Sequence, residues 1–137
     1  MREIKFRAWH RGEKKLFYPI SLFNLLDKEV WINESHKKPI NRLYGHVGID
    51  IDLMQYTGLK DKNGVEIYEG DILKITPDRY SNYISLGYVE YDHDSARYRV
   101  TTGKGYDTRN AFDINCDADF EVIGNIYENP ELLENNT

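Results

Sequence analysis

Cysteine and proline are scarce in this chain and long apolar runs are missing, and each shortage closes off a class of protein. With one cysteine, Cys116, among 137 residues, a single chain forms no disulfide of its own and no cysteine-based zinc site, so a reducing, cytoplasmic setting is expected. No apolar stretch approaches the roughly 18 residues that span a bilayer. Met1 is followed at once by Arg2, Glu3, Lys5 and Arg7 where a signal peptide would place its apolar core. No membrane partner is therefore expected.

What is present is the material of one ordinary core. Hydrophobic residues make up 40% and charged residues 30%, a balance that folds and is not disordered. The length suits one domain or two small ones. Aromatics reach 13%, with 11 tyrosines, and tyrosine favours strands, where its ring covers a pleated surface while its hydroxyl finds water or a partner. The composition leans toward β.

The net charge of −5 hides an asymmetry. From Met1 to Val47 there are 10 Lys/Arg against 5 Asp/Glu, or +5, and from Gly48 to Thr137 there are 8 against 18, or −10. Three of the four histidines, His10, His36 and His46, also lie in the basic part. Two readings follow: the parts attract one another or a neighbouring subunit, or the basic part meets a polyanion. A nucleic-acid module usually carries a basic total, which this chain lacks.

Ile4, Phe6 and Ala8 alternate with Lys5, Arg7 and Trp9, the period expected of a strand with one buried and one wet face. Gly12 among charged residues suggests a hairpin turn before Leu16, Phe17 and Tyr18. Leu22, Leu25 and Leu26 behind Ser21 fit a short helix or an apolar loop equally. Val30 to Ile32 reads as a brief strand, and Ser35 to Arg42 as a loop or boundary. From Ile49 the alternation sharpens and ends at Tyr56, before Thr57-Gly58. Asp61-Lys62-Asn63-Gly64 is a tight-turn signal, since Asn and Gly tolerate positive φ. Ile72 to Ile75 reads as a strand stopped by Pro77, and Tyr80 to Leu86 as a loop. Gly87–Tyr91 and Tyr98–Thr101 outline a hairpin around 92–96. Phe120 to Tyr127 is a last strand in which Gly124 marks a bend or bulge. Pro130 then opens a short terminal helix.

Short strands with a turn signal about every ten residues predict a mainly β chain with a small, strongly bent barrel or roll over 48–137. Residues 1–47 are read as an N-terminal extension made of a β-hairpin and a short helix or loop.

Three stretches carry a resemblance. Met1 to Trp9 (MREIKFRAW), Leu53 to Leu73 (LMQYTGLKDKNGVEIYEGDIL) and Glu121 to Leu133 (EVIGNIYENPELL) resemble the YopX family of phage and prophage proteins. The resemblance implies a phage-derived protein with an SH3-like β-barrel in its C-terminal part, self-associating and of no established activity. It names no catalytic or ligand residue. The middle stretch also has an account needing no ligand: Asn63-Gly64 and Gly70 make turns, Asp71 bonds nearby backbone N–H groups, and Ile67 and Tyr68 pack.

No stretch forms a catalytic constellation, so an enzyme is not expected, nor a cofactor or bound metal. The Asp61 turn fails as a calcium loop, because its glycine stands fourth where sixth is needed and position twelve is Ile72. Asp50 with Asp52, and Asp92 with Asp94, place two carboxylates on one strand face but lack a third ligand. Asp113, Asp117, Asp119 and Glu121 crowd beside Cys116, which lacks a flanking base and reads as a core filler. Gly103-Lys104-Gly105 lacks the rest of a phosphate-binding loop.

The strongest functional candidates are Lys5, Arg7, Trp9, Arg11 and Lys14, joined by Lys15, with Trp31, Lys37, Lys38 and Arg42 further on. Cations interleaved with an aromatic ring are how proteins hold phosphates while stacking a base. The same residues also suit an assembly interface in which Trp9 covers a neighbouring subunit. The expectation is a non-enzymatic binding protein whose partner is a second copy of itself, with a host or phage protein also in view. Its rival is a nucleic-acid binder.

Overall fold

The computed structural model describes residues 3–18, 22–24, 29–33, 42–76, 85–102, 111–114 and 119–134. These are mainly β, with twelve strands and one short helix. The chain divides into two compact units, Met1–Tyr56 and Thr57–Thr137. The charge changes sign near Val47, but the division falls later, because the strand that follows pairs backward into the first unit.

In that unit β1 (Phe6–His10) is flanked by two antiparallel neighbours, β2 (Lys15–Phe17) and the first half of β6 (Ile51–Lys60). Ala8 lies opposite both Phe17 and Leu53. Ala8, Phe17 and Ile51 form a small buried core, with Val47 and Leu53 packed against it. The hairpin expected around Gly12 is present, but the left-handed residue at its tip is Lys14, at φ 52°. A second sheet of the unit runs β3 (Leu22–Asn24), β4 (Glu29–Asn33), β5 (Arg42–His46), all antiparallel.

The short helix is overturned where Leu22–Asn24 is described. These residues are a strand, with Leu22 opposite Trp31 and Phe23 opposite Val30. A seven-residue segment is too short to hold a helix by itself, whereas a neighbouring strand supplies a ready ladder of backbone partners.

β6 also runs beyond its expected end. Thr57 and Gly58 do not stop it, because Gly58 adopts φ 88° and lets the strand turn locally without breaking. The Thr57 hydroxyl, buried, donates to the carbonyl of Ile67 at 2.7 Å, fastening β6 to β7 (Glu66–Tyr68).

The second unit is built on a five-stranded antiparallel sheet in the order β11 (Ala111–Asp113), β10 (Arg97–Thr101), β9 (Ser85–Asp92), β8 (Asp71–Thr76), β12 (Asp119–Asn125). Its core joins Ile67, Leu73, Ile75, Val89, Val100, Ile114 and Phe120, with Leu59, Tyr98 and Val122 against it. Each such aliphatic side chain contributes about 1.5–3 kcal/mol when fully buried. The register of β12 against β8 shifts between Val122 and Gly124, which is the bulge expected at that glycine. A Cβ on Gly124 would stand 2.6 Å from the Asn129 side chain, so a larger residue there would have to displace Asn129. α1 (Glu131–Glu134) follows Pro130 as expected. The loop expected from Tyr80 to Leu86 is overturned at its end, where Ser85 and Leu86 pair with β8 as the start of β9; its residues 80–84, with 103–110, Cys116, Asp117, Lys37 and Lys38, lie outside the described residues.

Candidate functional site

The basic face expected on β1 is not uniformly wet. Arg7 is buried at 7% exposure and stands opposite Met54, itself at 2%, while Lys5 and Trp9 are half-buried. Ile4, expected on the buried face of this alternation, is 67% exposed, and Met54 and Tyr56, the cross-strand neighbours of Arg7 and Lys5, are buried. Apolar neighbours on the flanking strand withdraw Arg7 from solvent, whereas Lys5 and Trp9 keep part of their surface in water.

The other cations are held in different ways. Lys5 pairs with Glu3 at 3.2 Å and lies over the Tyr56 ring at 5.4 Å. Arg11 grips Asp52 through both Nε and Nη2, at 2.9 and 2.6 Å, and donates a third bond to the carbonyl of Ile49. Together these bonds tie the β1–β2 turn to the start of β6 and the residue pair before it. Lys14 and Lys15 are exposed, Lys15 with its ammonium over Phe17. Within the turn, the Glu13 amide donates to Nδ1 of His10 at 3.0 Å. Lys14 thus stands out at the hairpin tip, Arg7 is withdrawn, and Arg11 is neutralised. Trp31 and Arg42 lie opposite Tyr44 and Asn33 in the β4–β5 ladder.

Three of the four paired carboxylates, those of Asp50, Asp52 and Asp92, are employed elsewhere. Asp50 accepts from the backbone of His46, and Asp52 belongs to Arg11. Asp92 accepts from the Asp94 amide at 3.0 Å, from the Ser95 hydroxyl and from Arg99 at 2.9 Å. Those bonds, that from Ser95 foremost, outweigh desolvation and lower its pKa to about 2. Glu121, from the acidic stretch, reaches Lys62 at 3.7 Å. Among the described residues, no three of His, Cys, Asp or Glu come together to hold a metal ion.

The most highly organised polar group is one that the functional candidates left out. Asp61, at 7% exposure, accepts from the amides of Asn63 and Val65 through Oδ1, at 2.8 and 2.9 Å, and from that of Val122 through Oδ2, at 3.0 Å. Burial pushes its pKa up, yet the three amides together hold it below the ordinary carboxylate value. The Lys62 amide donates to the carbonyl of Phe120, so the turn after β6 supplies both donor and acceptor to β12. Asp71, at 2% exposure, does likewise for β7, accepting from the Tyr68 amide at 2.8 Å. Near the C-terminus the Asn125 side chain accepts from the backbone amides of Tyr127 and Glu128, and the Asn125 backbone N–H donates to the Asn129 side-chain oxygen. Each motif that carried the family resemblance in this unit is thus a backbone-fastening device.

A family model described as YopX protein matches residues 5–134. The chain belongs to the YopX family. Its fold resembles that of protein EF1440 of Enterococcus faecalis, with 31% identity over 97% of this chain and 99% of that one, at a TM-score of 0.65. It also resembles protein yopX of Bacillus subtilis, at 17% identity over the whole of both chains and again a TM-score of 0.65. At that lower identity the likeness speaks to fold alone. No curated protein matches the chain.

Proposed function

We propose that this YopX-family chain acts by binding and not by catalysis, and that its partner is a second copy of itself. The observation that carries the reading is how the chain uses its chemistry-bearing side chains: Asp52, Asp61, Asp71 and Asp92 are each engaged in ion pairs or hydrogen bonds within the fold. Among the described residues, the first unit exposes apolar and basic groups together. Ile4, Tyr18 and Ile49 are 67%, 66% and 73% exposed, beside Lys14 and Lys15. The excess of acidic residues later in the sequence offers such a surface its complement in another copy. The reading includes a phage or prophage origin, action in the bacterial cytoplasm, and an SH3-like barrel in the second unit, for which the antiparallel sheet with its β12 bulge speaks.

The exposed Lys14 and Lys15, near half-buried Trp9, favour nucleic acid as the second reading, though Arg7 and Arg11 no longer support it. Light scattering on the full chain and on Trp9→Ala, run beside anisotropy with labelled DNA and RNA, tests both. The expected result is a mass above the 16.1 kDa of one chain that Trp9→Ala reduces, with nucleic-acid affinity weak and unchanged. A monomer at high micromolar concentration overturns the assembly reading. Salt-sensitive nucleic-acid binding abolished by Trp9→Ala supports the rival.

A further inference from the structure

Asn63–Gly64 is the only Asn-Gly pair in the sequence, and both residues are exposed in the turn between β6 and β7. Such a pair has a chemistry of its own. With no side chain on the following residue, the glycine nitrogen approaches the asparagine carboxamide more closely than the nitrogen of any other residue does.

The fold opposes that approach through Asp61. The Gly64 amide donates to the carbonyl of Asp61 at 3.0 Å, and the Asp61 amide donates to the carbonyl of Val65 at 2.8 Å. The amides on both sides of Gly64, those of Asn63 and Val65, share Oδ1 of Asp61. Oδ2 is fastened to Val122 in β12. For its nitrogen to act as a nucleophile, Gly64 must give up its proton and its hydrogen bond, so the turn has to open first.

We propose that Asn63 is a site of spontaneous deamidation whose rate is set by opening of the Asp61-centred turn. Hydroxide or a buffer base removes the Gly64 amide proton, and the nitrogen attacks Cγ of Asn63. The N–Cγ bond forms and the Cγ–Nδ2 bond breaks, the departing nitrogen taking a proton from water and leaving as ammonia. Water then opens the cyclic imide at either carbonyl, giving an aspartyl or isoaspartyl residue at position 63. No electrons change hands. Both products set a second carboxylate beside that of Asp61, and the isoaspartyl product also lengthens the backbone within the turn. The bonds from Val122 and Lys62 to their partners then weaken, so the modification is a one-way loosening of the closure along β12.

Peptide mapping by mass spectrometry, with an isoaspartyl methyl-acceptor assay, follows the reaction on the full chain at mildly alkaline pH in native buffer and in concentrated urea. Asn63 should react ahead of every other asparagine, about tenfold or more slowly in native buffer than in urea. Asp61→Asn should speed it in native buffer. Equal rates in the two solvents, or another asparagine reacting first, overturn the proposal. If circular dichroism finds Asp61→Asn unfolded, hydrogen exchange on the native chain takes its place. Protection of the Gly64 amide should then match the urea-to-native rate ratio, and strong protection beside fast deamidation overturns the proposal.

Discussion

In the second unit, two nearly buried carboxylates, Asp61 and Asp71, accept from backbone amides of neighbouring strands, over a core of seven buried apolar residues. In the first, the core is Ala8, Phe17 and Ile51, and the best-defined ion pair, Arg11 with Asp52, is half in water, its arginine side chain 48% exposed. The difference lies in where a polar group is indispensable. A carboxylate that completes a backbone ladder cannot be exchanged without leaving a buried N–H unsatisfied, at about 1–3 kcal/mol. An exposed ion pair gives up little when it is lost, because water replaces it. The residues that resisted a functional reading, 61–71 and 124–129, are therefore the ones the fold can least do without.

The largest effect expected from this contrast is in the second core. Leu73→Ala, at a site with no exposure, should cost about 2–5 kcal/mol, read as a lower urea midpoint by far-UV circular dichroism. Both tryptophans, Trp9 and Trp31, lie in the first unit, so their fluorescence follows that unit separately. A tryptophan transition displaced less than the dichroism transition sharpens the comparison. Coincident transitions break it, since the two regions would then unfold as one.

Acid titration comes next. Asp61 and Asp92 both have folded-state pKa values below their ordinary ones, so the ionised form favours the fold. Their contribution is complete above the unfolded value and is lost as pH falls through the folded one. The melting temperature should stay level down to about pH 5 and decline below about pH 4. Asp92→Asn should flatten part of that decline, the part ending near the folded-state value of about 2. An unchanged profile in the variant would show that Asp92 is not linked to folding.

The smallest effect is expected at Arg11. Arg11→Ala should lower stability by no more than about 1 kcal/mol, a shift that added salt reduces in the parent chain. A loss of several kcal/mol would mean that the first unit, too, depends on a polar fastening, and the contrast would fail.

Much of the fold was legible. The hairpins at 11–14 and 93–96, the tight turn at Asp61, the bulge at Gly124 and the helix after Pro130 follow from turn chemistry and alternation acting over a few residues. Leu22–Asn24 misled because the spacing of Leu22, Leu25 and Leu26 fits a helix, whereas strand partners five to nine residues further along the chain decided the matter. Glycine at the first hairpin was a fair expectation, yet Lys14 takes the left-handed conformation there, and Ala96 does so at the second hairpin. Strand pairing on either side fixes those turns firmly enough to impose a conformation that costs a residue other than glycine about 1–2 kcal/mol. At the candidate site, the charges of Lys5, Arg7, Arg11 and Lys14 were plain in the sequence, but their availability was not.

The sequence by itself determined the β class, the places where the chain reverses and the membership of a family, because each rests on local preference or on the order of residues. Only the tertiary structure decided that Arg7 is withdrawn, that Arg11 belongs to Asp52, and that Asp61 reaches a strand 61 residues away. A hydrogen bond or an ion pair depends on the separation of two groups in space, and that separation is set by how strands pair, which no short stretch of sequence contains.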